Sequence, residues 1–304
     1  MVIGAGNVGS TVAYTLMLER LASEIVIVDV NKDKAKAEVL DINHGIANFG
    51  QVKIYEGDYT DCKDCDIIII TAGIARKPGQ TRLELAKINV GIARDIAKNI
   101  MKYATNPLIF VISNPVDVIT YFMQREMGLP AGRIFGSGTT LDTARFRYLL
   151  GRNFDVDVRN VHAYILGEHG DSSVFIWSCA NVQGIPLNDY IALNNLTIDH
   201  DAIVKETKES GAMVIANKGA TYYGIAMSAA RVTGSVIGDE SSVFTVSSVL
   251  NGEYGLSDVA LSLPAVVNRN GLDRIVNVKF SDLENEQLRH SAQQIREAII
   301  GIEK

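Results

Sequence analysis

Residues 4–9 read Gly4-Ala5-Gly6-Asn7-Val8-Gly9, and Asp29, twenty positions further on, closes the apolar run Ile25-Val26-Ile27-Val28. A glycine turn between a strand and a helix, followed by a second strand that ends in an acid, is the pattern of a β-α-β unit gripping a dinucleotide. In that reading Gly4 allows the tight turn, Gly6 lets backbone N–H groups approach a pyrophosphate, and Gly9 lets the helix lie close to the sheet. Asn7 and Val8 belong to the same cofactor-binding turn, whose helix N-terminus offers partial positive charge to phosphate. Asp29 sits where a carboxylate accepts both ribose hydroxyls and repels a 2′-phosphate, so the expected cofactor is NAD and not NADP. The plainer alternative is a tight structural turn, which explains neither the helix nor the acid. Only Met1, Val2 and Ile3 precede Gly4, too few for a first strand of usual length. That spacing admits residues ahead of Met1.

Working outward, the first half alternates short β-branched runs with amphipathic stretches. Ile25–Val30, Asp66–Thr71 and Leu108–Ser113 read as strands; Ser10–Glu19, Asp33–Asn43 and Thr81–Tyr103 read as helices. Apolar runs between helices imply a parallel sheet covered on both faces. This predicts an α/β, doubly wound (Rossmann) domain over residues 1–138 that binds ligands at the carboxyl ends of its strands. Thr71-Ala72-Gly73 and Ser113-Asn114-Pro115 fall at such ends. From about Gly136 the rhythm changes to a mixed α+β pattern, expected to form a second, substrate-binding domain over residues 139–304. There Thr140–Leu150, Asp201–Met227 and Glu284–Ile302 read as helices. Val161–Leu166, Val243–Leu250 and Asn277–Phe280 read as strands, with a polar segment containing Ser257 and Asp258 between the last two. No repeat or long linker separates the halves, so they are expected to share a cleft.

Composition narrows the function further. The formal net charge is −6, which argues against strong attraction to nucleic acid or anionic membrane. No apolar run approaches the roughly 20 residues of a membrane span, and no signal peptide is readable. Three cysteines, Cys62, Cys65 and Cys179, suit reduced thiols in a cytosol. Cys62 and Cys65 have CxxC spacing but no second pair nearby, and the remaining histidines form no ligand spacing, so no catalytic metal is expected. Tyr59 and Lys63 spell a short-chain-reductase pair, but they lie in a polar stretch with no helix to stack them.

Chemistry concentrates in two segments. In Gly167-Glu168-His169-Gly170-Asp171, glycine leaves an imidazole open to a cleft directly after an apolar strand. In Leu141-Asp142-Thr143-Ala144-Arg145, an acid and a base at i and i+3 share one helix face. A carboxylate can orient a histidine into a proton shuttle, and an arginine fork grips a carboxylate at two points. Beside a nicotinamide these parts suit oxidation of a 2-hydroxy acid. The bland alternative is an intrahelical ion pair and a packed histidine.

On these residues the chain resembles the L-lactate/malate dehydrogenase family over essentially its whole length. The matches are GAGNVG, TAG, SNPVD (113–117), LDTARFR (141–147), GEHGDS (167–172) and KGATYYGIAM (218–227). The resemblance implies an NAD-dependent L-2-hydroxy acid dehydrogenase with His169 as general acid/base, Asp142 as its orienting partner and Arg145 as the carboxylate clamp. Asn114 would bond the reacting oxygen, and Arg82, in what looks like the family's mobile loop, would polarise it on closure. It also implies a homotetramer or a dimer.

The substrate is the divided point. Six residues before the loop arginine, lactate enzymes usually carry glutamine and malate enzymes arginine; here it is Arg76. Desolvated over the methyl of pyruvate, Arg76 would lack a partner, so local chemistry favours malate/oxaloacetate. Gly136-Ser137-Gly138-Thr139, Glu168 and Thr221, expected on a pocket-facing helix, pull toward the alternative, lactate/pyruvate. Arg147 and His162 match positions that bind fructose 1,6-bisphosphate in allosteric lactate enzymes. A different class altogether, an NAD-sensing protein without catalysis, conflicts with the joint presence of Asp142, Arg145, His169, Arg82 and Asn114.

Overall fold

The structure is a computed structural model that describes residues 1–50, 52–75 and 79–304. Strands β1 (Val2–Ile3), β2 (Glu24–Val28), β3 (Lys53–Glu56), β4 (Ile68–Ile70), β5 (Ile109–Val111) and β6 (Ile134–Gly136) pair in parallel, in the order β6-β5-β4-β1-β2-β3. Helices α1 (Asn7–Leu18), α2 (Lys32–Ile46), α3 (Arg82–Met101) and α4 (Val116–Met127) connect them. Alternate residues of the isoleucine run face opposite ways. Ile68 and Ile70 join one buried cluster with Val90, Ile119 and Ile295, while Ile67 and Ile69 join another with Val12, Leu16 and Val232. Both faces are therefore covered, and ligands are left the strand ends.

The second half begins with α5 (Thr140–Phe154), followed by β7 (Val161–Leu166), β8 (Val174–Val182), β9 (Ile185–Pro186) and α6 (Leu187–Leu193). Next come α7 (His200–Lys218), α8 (Tyr223–Gly238), β10 (Ser242–Asn251), β11 (Ser257–Asn268), β12 (Gly271–Ile275) and α9 (Asp282–Glu303). Strands β7, β8 and β9 form a small sheet of their own. Against it pack Phe146, Leu149 and Leu150 of α5 and Ile203 of α7. Strands β10, β11 and β12 instead extend the large sheet antiparallel, through the pair Ser247–Gly136, to nine strands. One sheet thus crosses from the first half into the second.

Three local expectations are corrected. The stretch expected as one helix over 201–227 is two, because Gly219 ends α7 with φ +85, and residues 219–222 link it to α8. That conformation suits glycine and not the interior of a helix. The polar segment at Ser257 and Asp258 starts the twelve-residue β11, while residues 277–280 carry no strand. Pro264 obscured β11 in the sequence; in the sheet it lacks a donor, but its carbonyl accepts from Val276 N at 2.7 Å. Finally, Tyr59–Asp64 forms a 3-10 helix, which at three residues per turn sets Tyr59 and Lys63 on different faces.

Candidate active site

The glycine turn has the geometry its sequence calls for. Gly4 has φ +113, and a Cβ there would meet Ala72 N at 2.6 Å. A Cβ on Gly9 would stand 1.8 Å from Gly4 O, so α1 and the turn touch backbone to backbone. Gly6 differs: it caps α1, and nothing lies within 4 Å of where its Cβ would be. The open side of Gly6 is where a ligand can approach the helix N-terminus, which Asn7 and Val8 begin. Asp29 closes the cradle. Its Oδ2 accepts from Ala5 N at 2.7 Å and its Oδ1 from Asn31 N at 2.8 Å, which ties the end of β2 to the turn. Thr71 donates its hydroxyl to Gly4 O at 2.9 Å. These residues fit a dinucleotide: main-chain donors, an open glycine and an acid beside the ribose position.

At the neighbouring strand ends, Ser113 donates to Ala72 O at 2.6 Å, joining the loop after β4 to the loop after β5. Asn89, on α3 and 3% exposed, completes the brace. Its Nδ2 donates to Asn114 O at 2.7 Å and to Ile74 O at 3.2 Å, and its Oδ1 accepts from Ile74 N at 2.9 Å. Gly73 packs over the same side chain. Asn114 precedes a cis peptide to Pro115 and is exposed at the sheet end. Sequence reasoning missed Asn89; a polar residue inside an otherwise apolar helix face was the available signal.

The catalytic candidates converge on a cavity of about 170 Å³ lined by Asp142, Arg145, Ile165, His169, Thr207 and Lys208. His169 Nδ1 lies 2.5 Å from Asp142 Oδ2, and Arg145 Nη1 donates to Asp142 Oδ1 at 3.0 Å. One carboxylate therefore engages both the base and the clamp. Burial opposes charge on the imidazole, but the Asp142 carboxylate outweighs it and lifts His169 to about 9. Burial likewise pushes Asp142 up, and the His169 and Arg145 charges override it and hold the carboxyl below its usual range. Such a couple can carry a proton on the far nitrogen of the ring while Arg145 faces a carboxylate.

Asp117 of α4, absent from the sequence-level candidates, also serves this loop. It is 3% exposed, its Oδ2 accepts from His169 N at 2.8 Å, and burial raises its carboxyl to about 6. It stood inside the quoted SNPVD match, yet only the fold reveals that its partner is a main-chain amide 52 residues away.

The remaining candidates divide. Arg82 starts α3 and pairs through Nη1 with Asp171 Oδ2 at 2.7 Å, two residues beyond His169, with most of its side chain in solvent. Thr221 lies in the link between α7 and α8, not on a helix as expected, three residues before Gly224, which packs against Leu141. Lys218 stacks over the rings of Tyr222 and Tyr223, each at 3.5 Å, and braces that link. Arg76 lies outside the described residues. Arg147 and His162 stand apart from the cavity: Arg147 Nε donates to Val161 O at 2.6 Å, and His162 is exposed on β7. Cys62, Cys65 and Cys179 are free thiols; Cys62 lies beside Met1, and its burial pushes the thiol up to about 12. Among the described residues no cluster of His, Cys, Asp or Glu is arranged to hold a metal ion, and no helix is long and apolar enough to cross a membrane.

A dinucleotide cradle at the strand ends beside a histidine–carboxylate couple and an arginine fork defines a nicotinamide-dependent oxidoreductase acting on a CH–OH group. Residues 1–136 match the family model for the lactate/malate dehydrogenase NAD-binding domain, and residues 139–304 match the one for its alpha/beta C-terminal domain. The chain belongs to the lactate/malate dehydrogenase family and uses NAD. It is 48% identical to an L-lactate dehydrogenase of Acetivibrio thermocellus over 301 residues, which is 98% of this chain and 95% of that protein. It is 46% identical to L-lactate dehydrogenase 1 of Clostridium acetobutylicum, over 99% of this chain and 97% of that one. A lactate dehydrogenase from a Medee basin deep-sea metagenome library superimposes with a TM-score of 0.96 at 41% identity, covering 100% of this chain and 98% of that chain. These relatives favour lactate over the malate reading drawn from Arg76.

Proposed function

We propose that the protein is an L-lactate dehydrogenase that interconverts pyruvate and L-lactate. The observation that carries this reading is near-full-length identity of 45–48% to bacterial enzymes bearing that name. In the reductive direction Arg145 binds the carboxylate of pyruvate as a fork, and His169, charged at neutral pH beside Asp142, donates its proton to the C2 oxygen. The Gly4–Gly9 turn and Asp29 would hold NAD, which when bound would supply the hydride acceptor for lactate or, reduced, the hydride donor for pyruvate. Asn114 donates to the reacting oxygen, and Arg82, released from Asp171, steadies charge developing on it. Thr221 borders the substrate's C3 side. In the oxidative direction neutral His169 takes the hydroxyl proton.

A second reading, malate/oxaloacetate, rests on Arg76, which a second carboxylate would neutralise. Under the lactate reading, Arg147 and His162, from more than one subunit of a homotetramer, would hold fructose 1,6-bisphosphate as an activator in the cytoplasm. The deciding measurement is kcat/KM for pyruvate against oxaloacetate with NADH, with and without the bisphosphate. The expected result is a preference for pyruvate of about 10²-fold, equivalent to roughly 3 kcal/mol. The opposite preference assigns specificity to Arg76. A ratio and rate indifferent to the bisphosphate removes the effector role of Arg147 and His162.

A further inference from the structure

The loop carrying His169 is held through its main chain from several sides. Gly167 exchanges hydrogen bonds with Ser262 of β11, at 3.0 and 3.1 Å. Asp117 takes the His169 amide, and Lys208 Nζ of α7 donates to Asp171 O at 2.9 Å. The amide between the first two belongs to Glu168, and it donates to Ser291 Oγ of α9 at 2.7 Å. Ser291 Oγ lies 3.1 Å from Ser172 Oγ, which donates to Glu168 Oε2 at 2.5 Å.

A hydroxyl has one proton to give. With Ser172 committed to the carboxylate, one order satisfies every member: Glu168 N–H to Ser291, Ser291 O–H to Ser172, Ser172 O–H back to Glu168. The ring is closed, and its anchor, Ser291, is fully buried at 0% exposure. The fit is close as well. Gly167 has φ +87, and a Cβ on it would stand 2.6 Å from Ser291 Oγ. The far end of α9 meets the start of α3, where Gly301 faces Leu83, the residue after Arg82, and Glu303 pairs with Arg125 of α4.

We propose that Ser291 is a positioning residue for the dehydrogenase reaction: its hydroxyl on the C-terminal helix fixes the main chain immediately before His169 and so sets the aim of the imidazole at the substrate oxygen. The inference rests on the reading of His169 as the proton carrier, and it makes α9 part of the active-site frame.

The test compares Ser291→Ala and Ser172→Ala with His169→Asn, using NADH and whichever of pyruvate or oxaloacetate the enzyme turns over. Ser291→Ala is expected to lower kcat by about 10- to 100-fold, as a misplaced catalytic group does. Its KM should stay close to wild type because Arg145 is outside the ring, and NADH binding and the emission of the sole tryptophan, Trp177, should be unchanged. Ser172→Ala leaves the Glu168 amide bonded and is expected to lose a few-fold in kcat. Wild-type kcat in Ser291→Ala beside an inactive His169→Asn overturns the proposal and leaves the reading of His169 standing. So does a loss of kcat that merely tracks lost NADH binding and altered tryptophan emission. Should Ser291→Ala not fold, unchanged kcat in Ser172→Ala overturns it instead. Full turnover by His169→Asn overturns the acid–base reading itself.

Discussion

The cofactor cradle and the catalytic loop solve the same problem, placing a polar group at a strand end, by opposite means. The cradle is local and made of backbone: Gly4, Gly6 and Gly9 lie within six residues, and their roles follow from missing side chains. The loop at His169 is assembled from afar, by Asp117 on α4, Asp142 on α5, Lys208 on α7, Ser262 on β11 and Ser291 on α9. A site made of backbone fails when atoms are added, whereas one made of side chains fails when atoms are removed.

The largest contrast is expected within the cradle. Gly9→Ala drives a Cβ into Gly4 O and should abolish measurable NADH binding together with a cooperative thermal transition. Gly6→Ala enters open space and should weaken NADH binding by about tenfold, some 1.4 kcal/mol, at unchanged melting temperature. Equal melting temperatures for the two variants would break the assignment of one glycine to packing and the other to ligand approach.

The catalytic loop should respond to charge. In the proposed mechanism reduction needs protonated His169, so its rate should hold below pH 9 and fall above it, following the raised value of about 9. In Asp142→Asn the attraction is lost and burial remains, which favours the neutral ring. The limb should then move to lower pH and kcat at neutral pH should drop by about 10²-fold, within the range of acid–base catalysis. A pH–rate profile whose limb stays near 9 would detach Asp142 from the proton. The smallest effect is expected for Asp29→Ala, which removes the carboxylate proposed to contact the ribose and to repel a 2′-phosphate. A loss of several-fold in NADH affinity, with a gain for NADPH, is expected from titration of both; unaltered discrimination would confine Asp29 to bracing Ala5.

How far each region could be read in advance follows from the same difference. Gly4–Gly9, Asp29 and the pair Asp142–Arg145 were legible because their partners lie at fixed short spacings. The Asp142–His169 couple was reached through family resemblance and then met by geometry at 2.5 Å. Asn89, Asp117 and Ser291 were not legible, since each bonds a main-chain atom that only the tertiary fold brings near. The break between α7 and α8 hid because apolar residues resume at Ala220, and β11 hid because Pro264 and two serines disguise a buried strand. Arg76 was legible as chemistry, but family-wide likeness pointed the other way.

The pairing of Ser247 with Gly136 has a mechanical consequence. The strand order runs from β3 to β12 through that one pair, so both halves of the chain stand on a single sheet. On that shared floor the ion pair between Arg82 and Asp171 is a latch, which has to open before Arg82 can turn toward a substrate.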